Sequence, residues 1–272
     1  MGLTGLQPVD SAWNEKCHSF WLVFLLWLVI SRTWRNDKKA VLLSILIFVV
    51  AALAIVTSYS DSAKLALAFS AFIFLLSRFS TEKLWATGLV LILSYVIMFP
   101  LIWHAFAFSE WEWLQGTEGY DRVLLFETAS NAIGGNWFWG HGFGSTLTMP
   151  IENHLPEFAS PSAALTAIST GHNGLFPGAH PHNIVALIWL DFGLIGATAL
   201  AYFIVRFSKY LRNTSEKQEC ASSILALIAS ALVIFSLSFS IWQTDVVLTY
   251  AMFFSCLMSV CSAGHSELKK EK

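Results

Sequence analysis

The sequence predicts an all-α, polytopic membrane protein with about seven transmembrane helices and one large external loop. Hydrophobic residues make up 56% of the 272-residue chain and charged residues only 12%, which is more apolar than a soluble core of this size requires. The apolar residues are gathered into seven runs of 12 to 25 residues, most of them close to the roughly 20 that a helix needs to cross a bilayer. Lysine and arginine residues lie in clusters between these runs, as they do in cytoplasmic loops.

Four apolar runs are predicted to span the membrane within residues 1–104, behind a short tail that is expected to be external. These runs cover residues 20–31, 40–56, 63–76 and 84–103. Basic residues lie between the first and second runs and between the third and fourth. They are Arg32, Arg35, Lys38 and Lys39 in the first cluster, and Arg78 and Lys83 in the second. Because basic residues favour the cytoplasmic side, this alternation places the amino terminus outside.

Residues 105–182 form the longest connection in the chain and are expected to be an external loop, because polar residues, glycine and tryptophan replace the apolar runs there. Loops of this length without structure of their own are uncommon and usually carry function. The stretch YDRVLLFETASNAI, with Asp121 near its start, predicts an amphipathic helix lying along the membrane. The following GGNWFWGHGFG predicts a turn suited to the headgroup layer, and it matches neither a P-loop nor a dinucleotide fingerprint.

Three more spans and a cytoplasmic tail are predicted for residues 183–272. The runs cover residues 183–207, 221–240 and 246–263. Basic residues in RFSKYLRNTSEK and in ELKKEK again indicate the cytoplasmic side.

The composition does not favour nucleic acid as a partner. The four cysteines contain no CxxC pair and are expected to be inert apolar residues.

The stretch from Ala179 to Thr198, AHPHNIVALIWLDFGLIGAT, places a polar His-Pro-His-Asn cluster at the start of an apolar helix. We interpret it as a reactive group at a membrane surface. Gly193 and Gly196 lie about one helical turn apart and can let another helix approach closely. Asp191 would cost about 2.5 to 3.5 kcal/mol if it were ionised and faced lipid. It is therefore expected to face protein or water, where packing between helices is a sufficient role for it.

Arg122 is the one Lys or Arg between Lys83 and Arg206. The acidic residues of the same region are Glu110, Glu112, Glu118, Asp121, Glu127, Glu152, Glu157 and Asp191. One interpretation is that topology excludes other cations and that Arg122 pairs with Asp121 or Glu118. The other is that Arg122 binds an anion, because its planar guanidinium offers paired donors that match phosphate oxygens.

Five histidines lie in the predicted external loop, and two of them form an HxH pattern. They are His141, His154, His172, His180 and His182. HxH alone is a weak metal signal and no HExxH or Cys-His set accompanies it, so neither a metal nor another cofactor is predicted. His182 differs because it opens a span beside Asn183, where a neutral imidazole can accept a proton near neutral pH. The alternative for all five is that the imidazoles satisfy hydrogen bonds at the interface.

His182-Asn183, nine intervening residues and Gly193-x-x-Gly196 resemble the signature of the O-antigen ligase and polymerase superfamily of membrane glycosyltransferases. The order of the upstream elements agrees with it. Arg122 at the head of the helix DRVLLFETA, then the turn WFWGHGFG, then His-Asn at the start of a membrane helix are similar to that superfamily's large periplasmic loop. The resemblance covers about residues 59–207 and implies a GT-C-like fold in the bacterial inner membrane, with the carboxyl terminus in the cytoplasm.

The resemblance also implies a metal-independent, inverting transfer of a glycan from undecaprenyl diphosphate to an acceptor hydroxyl on lipid A-core, another glycan or a protein. His182 would deprotonate or orient this hydroxyl, and Arg122 would hold the diphosphate leaving group. Asn183 and His180 would contact the substrate. An O-antigen ligase is the first expectation, while a polysaccharide polymerase and a protein O-glycosyltransferase of the same superfamily are alternatives.

Two features depart from the superfamily pattern. Members often carry an Arg in an S-R-x-A-like turn, where this sequence reads SDSAK from Ser60 to Lys64. Lys64 would then be the second phosphate-binding cation, without the bidentate fork of Arg. Members are also usually longer, so the chain is expected to be the carboxyl-terminal part of such a protein, or a truncated or split relative.

Two other classes of function are open at this stage. A transporter for a lipid-linked anion would also place an Arg and polar helix ends near the membrane, but its ionisable groups would cluster at mid-membrane and its halves would show repeats. The predicted spans are nearly free of charge instead. A non-catalytic membrane scaffold would make His182 and Arg122 dispensable.

Overall fold

The computed structural model describes residues 9–33, 38–58, 60–114, 118–145, 183–214, 218–237 and 251–259, and every regular element in these ranges is helical. The α-helices with defined bounds are α1 (Val9–Thr33), α2 (Lys38–Val56), α3 (Asp61–Phe106), α4 (Glu118–Gly135), α5 (Ile184–Thr214) and α6 (Gln218–Leu237). A short 3-10 helix, Phe108–Glu110, follows α3, and residues 251–259 are also helical. The all-α prediction is therefore confirmed for the described ranges.

The chain divides into two compact units. The first contains Met1–Ala86, Lys209–Ile234 and Thr244–Lys272, and the second contains Thr87–Ser208 and Phe235–Gln243. Helices α1, α2 and most of α6 belong to the first unit. Helix α4 and most of α5 belong to the second, and α3 contributes to both.

Four helices of the described ranges, α2, α3, α5 and α6, are long and apolar enough to cross a membrane. In α2, for example, Ser44 and Ile55 are the buried residues, whereas the side chains of Leu42 and Leu53 are 68% and 63% exposed. Exposure of such side chains to water is unfavourable, but lipid tails are as apolar as leucine. These helices support the prediction of a polytopic membrane protein.

Helix α3 contains two of the predicted spans. It is 46 residues long, and a straight helix of that length would measure about 70 Å, more than twice the roughly 30 Å thickness of the bilayer's hydrocarbon. The helix is interrupted at Ser80, whose φ of −159° and ψ of 82° are not helical. The third and fourth predicted runs therefore lie on the two sides of a break in one element, rather than in two separately bounded helices.

Trp27 holds α1 against the first part of α3 in the first unit. Its side chain is buried, its indole N–H donates to the hydroxyl of Ser70 over 3.0 Å, and its ring centroid lies 5.2 Å from that of Phe74. A buried indole needs such an acceptor, because an unsatisfied buried donor costs about 1–3 kcal/mol.

The cysteines differ in part from the expectation. Cys220, near the start of α6, forms a disulfide bond, whereas Cys256 is a free and exposed thiol. The expectation of an inert residue is therefore wrong for Cys220. The absence of a CxxC spacing was not informative, because pairing of cysteines distant in sequence cannot be deduced from the sequence alone.

The core of the second unit lies between the second part of α3, α4 and α5. Its buried members are Val96, Phe99, Phe126, Ala129, Ala132, Ile133, Val185, Ala186, Trp189, Leu190 and Ala197. Small alanine side chains of α4 and α5 lie in this core among larger ones, such as Phe99 of α3 and Trp189 of α5. Helix α4 confirms that the stretch YDRVLLFETASNAI is helical, while its amphipathic character and its placement along the membrane stay predictions. This unit contains the start of α5 and most of the predicted site.

Candidate functional site

Asn183 stands directly before α5 and is bonded in two directions. Its Oδ1 accepts hydrogen bonds from the backbone N–H groups of Val185 at 2.9 Å and Ala186 at 3.1 Å, which is the pattern of a helix N-cap. Its Nδ2 donates to the hydroxyl of Tyr95 on α3 at 2.8 Å. The side chain is buried. The structure thus gives the Asn of the His-Asn pair a capping role, while the substrate contact expected of it stays a prediction.

A second hydrogen bond joins α3 to α5 further along both helices. The indole N–H of Trp189 donates to the carbonyl oxygen of Val96 at 2.7 Å. Pro100 lies four residues after Val96 inside α3 and has no N–H, so this carbonyl lacks its usual helical partner. Ser130 of α4 donates to the carbonyl of Pro100 itself at 2.6 Å. Side chains of neighbouring helices therefore accommodate the proline.

Gly193 interrupts α5. Its φ of 58° and ψ of −148° lie in a region that is essentially restricted to glycine. Such a break leaves backbone groups on both sides without partners in the helix, and in an apolar environment each of them needs another partner. The partners come from the segment that follows α4.

We call residues 136–145 the glycine loop, and it bonds to both sides of the break in α5. The hydrogen bonds run from the N–H of His141 to the carbonyl of Leu190 (2.7 Å), from the N–H of Gly142 to the carbonyl of Asp191 (3.0 Å), and from the N–H of Leu194 to the carbonyl of Trp137 (2.8 Å). Gly140, Gly142 and Gly144 have φ values of 73°, 94° and 74°, which glycine adopts without steric cost. The turn predicted over GGNWFWGHGFG is confirmed.

Gly140 and Gly193 bring the two backbones into direct contact. A Cβ on Gly193 would lie 2.5 Å from the backbone nitrogen of Gly140, and a Cβ on Gly140 would lie 2.5 Å from the backbone nitrogen of Phe192. We expected Gly193 and Gly196 to admit another helix. At Gly193 the neighbour is instead the glycine loop, and a Cβ on Gly196 would meet the side chain of Phe192 in α5 itself.

Asp191 and Ser145 add a side-chain contact to this junction. The Ser145 hydroxyl donates to Oδ1 of Asp191 at 3.0 Å, and both residues are buried. Asp191 therefore faces protein, as expected of a carboxyl group in an apolar helix. Ser145 is the last described residue before residues 146–182 and Asn183 is the first after them, so the chain is anchored on each side of that segment.

Aromatic side chains of the glycine loop are exposed. They are Trp137, Phe138, Trp139 and Phe143. Rings of this kind are typical of the membrane–water interface.

The imidazole of His141 donates from Nε2 to the carbonyl of Ala132 at 2.9 Å, which supports the hydrogen-bonding interpretation for this histidine.

The two cations predicted to bind phosphate belong to different units. Arg122 is half-buried near the start of α4, in the second unit. Lys64 belongs to the first unit, and its ammonium group pairs with Asp61 at 2.9 Å, in a solvated type of pair that contributes little to stability. The side chains of Glu118 and Asp121 lie outside the described residues, so neither interpretation of Arg122 is tested.

His180 and His182 also lie outside the described residues, as do His154 and His172. The roles assigned to His180 and His182 therefore stay predictions. Within the ranges that are described, no three His, Cys, Asp or Glu side chains come together as a possible metal-ion group.

An apolar groove with a volume of about 510 Å³ lies in the second unit. Its lining includes Ile97, Leu101 and Leu194 together with the polar side chains of His104, Ser130 and Asn131. Neither Arg122 nor Lys64 lines it. The predicted phosphate contacts are therefore not part of this groove.

A model of the O-antigen ligase family matches residues 46–201, which is more than half of the chain. The chain belongs to this family. The match begins within α2 and extends past the break in α5, so that it contains Arg122, Asn183 and Gly193. It confirms the resemblance predicted from the His-Asn pair and the two glycines. No curated protein and no solved structure matches the chain.

Membership of the O-antigen ligase family points to a bacterial membrane protein with glycosyltransferase-type activity, whose partners are a lipid-linked glycan and an acceptor.

The structure adds two residues, Tyr95 and Gly140, whose contacts with the predicted site are not indicated by the sequence. Tyr95 lies 88 positions from Asn183 in an apolar run, so no spacing connected the two. The alternation Gly-x-Gly-x-Gly indicated a turn at Gly140. No pattern in the sequence indicated that Gly140 contacts Gly193.

Proposed function

We propose that the protein transfers a glycan from undecaprenyl diphosphate to an acceptor hydroxyl, as an O-antigen ligase, without a metal ion and with inversion at the anomeric carbon. The family match is the observation that carries this proposal. The start of α5 supports it, because Asn183 caps this helix, donates a hydrogen bond to Tyr95 and stands directly after His182 in the sequence. The acceptor is lipid A-core, with another glycan or a protein as the alternatives within the superfamily.

In the proposed reaction, His182 accepts the proton of the acceptor hydroxyl. The hydroxyl oxygen attacks the anomeric carbon, and the bond between this carbon and the diphosphate oxygen breaks. The electron pair of that bond leaves with undecaprenyl diphosphate, and the paired N–H donors of Arg122 stabilise its negative charge. Lys64 is proposed as a second phosphate contact, and His180 and Asn183 as substrate contacts.

The break in α5 does not favour the transporter alternative. In transporters, discontinuous helices present freed backbone groups to substrates or ions. Here the carbonyl groups of Leu190 and Asp191 and the N–H of Leu194 are bonded to the glycine loop. These groups therefore bond to the protein itself, which is not the arrangement of freed groups that a transporter presents to an ion.

We further propose seven spans in a GT-C-like fold, with residues 105–182 as a periplasmic loop, the amino terminus outside and the carboxyl terminus in the cytoplasm. The four candidate spans, the break in α3 and the basic clusters support this topology. Cysteine-accessibility labelling should place Lys38→Cys and Arg212→Cys inside, and Glu112→Cys and Glu157→Cys outside. Labelling of Glu157→Cys from the cytoplasmic face would contradict it.

Variants of His182 and Arg122 test the proposed reaction. Transfer from an undecaprenyl-diphosphate-linked glycan, measured in membranes at matched protein level, should fall about a hundred to ten-thousandfold in His182→Ala, the range for a general base. Arg122→Ala should lose nearly all activity and Arg122→Lys much of it, because Lys lacks the bidentate fork. These proteins should still accumulate, since one lost hydrogen bond costs only about 1 kcal/mol.

His180→Ala is the matched control, because it removes an imidazole two residues earlier and should matter less. Undiminished transfer in His182→Ala or in Arg122→Ala would remove the corresponding role. Equal loss at both histidines would instead indicate a metal ion or a structural cluster. An added chelator separates these two, because it inactivates a metal site alone.

A further inference from the structure

Tyr95 of α3 is hydrogen-bonded to the residue that caps α5. Its hydroxyl accepts the Nδ2–H of Asn183, while Oδ1 of the same amide accepts the N–H groups of Val185 and Ala186. One planar amide group is therefore bonded to α3 at its nitrogen and to α5 at its oxygen. These bonds restrain both the rotation and the position of the Asn183 side chain.

The restraint determines where the chain enters α5. An N-cap residue is the last residue with non-helical dihedral angles before the helix, and the Cα atom of the preceding residue lies about 3.8 Å from its own. Residue 182 therefore follows any displacement of Asn183. Without the Tyr95 hydroxyl, Asn183 can still cap the first turn of α5, but the hydrogen bond that restrains this cap against α3 is lost, so that the cap opens more often.

We propose that Tyr95 is a positioning residue for the transfer reaction and acts through Asn183 to hold His182 in place for proton abstraction. This inference rests on the proposed function of His182. Tyr95 itself contacts neither the donor nor the reacting hydroxyl in this proposal. Its contribution is geometric, because a misplacement of about 1 Å of a catalytic group can reduce a rate about a hundredfold.

Trp189 and Val96 distinguish this role from simple joining of two helices. Their hydrogen bond, at 2.7 Å, links the same helices, α3 and α5, six residues further along α5 than Asn183. Both bonds contribute to packing in the second unit, but the bond of Tyr95 acts on the residue next to His182. Trp189→Phe is therefore a matched control for the loss of one hydrogen bond between the two helices.

The experiment uses the full-length protein in vesicles made from membrane lipids and acceptors of a strain lacking the gene. The titrated donor is the undecaprenyl-diphosphate-linked glycan isolated from that strain, and release of undecaprenyl diphosphate is measured per folded protein. Tyr95→Phe keeps the ring beside Phe99 and removes the hydroxyl. It should lower kcat about tenfold or more while the KM for the donor stays within about twofold. Trp189→Phe should lower thermal stability but leave kcat within about twofold.

A double-mutant cycle tests whether Tyr95 acts through Asn183. Asn183→Ala removes the cap and the bond to Tyr95 together, so adding Tyr95→Phe to it should have no further effect on kcat. Asn183→Asp is the conservative variant, because one carboxylate oxygen can cap α5 and the other can accept from the Tyr95 hydroxyl. It should retain most of the activity that Asn183→Ala loses.

Each outcome decides the inference. A parent protein without transfer activity would remove the proposed function and the positioning role together. An active parent with an equally active Tyr95→Phe would overturn the positioning role alone, as would equal losses of kcat in Tyr95→Phe and Trp189→Phe. Hydrogen exchange gives a readout without substrate. The amides of Val185 and Ala186 should exchange faster in Tyr95→Phe, and unchanged exchange would overturn the link through the cap.

Discussion

Helices α3 and α5 both lose helical hydrogen bonds within the second unit, and the losses are compensated in different ways. In α3, Pro100 offers no N–H to the carbonyl of Val96, and the side chain of Trp189 donates to it instead. In α5, Gly193 departs from helical geometry, and the backbone of the glycine loop bonds to groups on both sides of the break. The carbonyl without a helical partner in α3 bonds to a side chain, whereas the backbone groups without helical partners in α5 bond to main chain.

This difference determines which substitutions are tolerated at the proline of α3 and at the break in α5. A carbonyl oxygen can accept a hydrogen bond from any donor that reaches it, so the proline in α3 requires one suitable side chain nearby. Main-chain bonding across the break in α5 brings two backbones into contact, which leaves no room for a Cβ at Gly140 or at Gly193. The break in α5 should therefore be the less tolerant of the two to substitution.

The largest effect is expected at the contact between the two backbones. Gly193→Ala and Gly140→Ala should each destabilise the protein by more than about 4 kcal/mol, the range of exceptional single substitutions. In each, the new Cβ would meet backbone atoms at 2.5 to 2.6 Å, and backbone cannot move aside as a flexible side chain can. Thermal unfolding and the yield of monodisperse protein in detergent measure the loss.

Gly142→Ala is the control for the backbone contact. Gly142 has a φ of 94°, but a Cβ there would meet no heavy atom within 4 Å. This variant should cost only the conformational strain of a non-glycine residue, about 1–3 kcal/mol. Equal losses at Gly140 and Gly142 would show that the positive φ, and not the contact between backbones, makes the junction sensitive.

An intermediate effect is expected where the side chain compensates the proline. Trp189→Phe leaves the carbonyl of Val96 without its donor and should cost about 1–3 kcal/mol. In a Pro100→Ala background, the N–H of residue 100 can bond to this carbonyl, so the same substitution should cost less. Thermal unfolding of the two single variants and the double variant measures this coupling. Strictly additive losses would show that Trp189 acts by packing alone.

The smallest effect is expected for the side-chain contact at the junction. Ser145→Ala removes the hydroxyl that donates to Asp191 and should cost about 1 kcal/mol, the low end of the range for a buried acceptor that loses one donor. The three backbone bonds of the glycine loop would remain. Ser145→Thr keeps the hydroxyl and serves as the control in the same unfolding measurement. A loss in Ser145→Ala as large as that in Gly193→Ala would reverse the order proposed for the junction.

The positions of the helices were largely predictable, whereas their interruptions were not. The run at residues 40–56 corresponds to α2, and the run beginning at residue 183 corresponds to α5. Long apolar runs bounded by cations specify such helices through local hydropathy and charge. Gly193 was interpreted as a helix-packing residue because the apolar pattern continues through it, and Ser80 gave no signal because it lies in a polar stretch between two apolar runs.

The membrane class, the α-helical composition and the family follow from the sequence, because hydropathy, charge clusters and the spaced set from His182 to Gly196 can all be read along the chain. The hydrogen bond between Asn183 and Tyr95 and the contact between Gly193 and Gly140 emerge only when the helices are packed. Each of these contacts joins residues distant in sequence. Their residue types, a tyrosine in an apolar run and a glycine in a turn, fit many environments, and only the packing of the helices selects the partner.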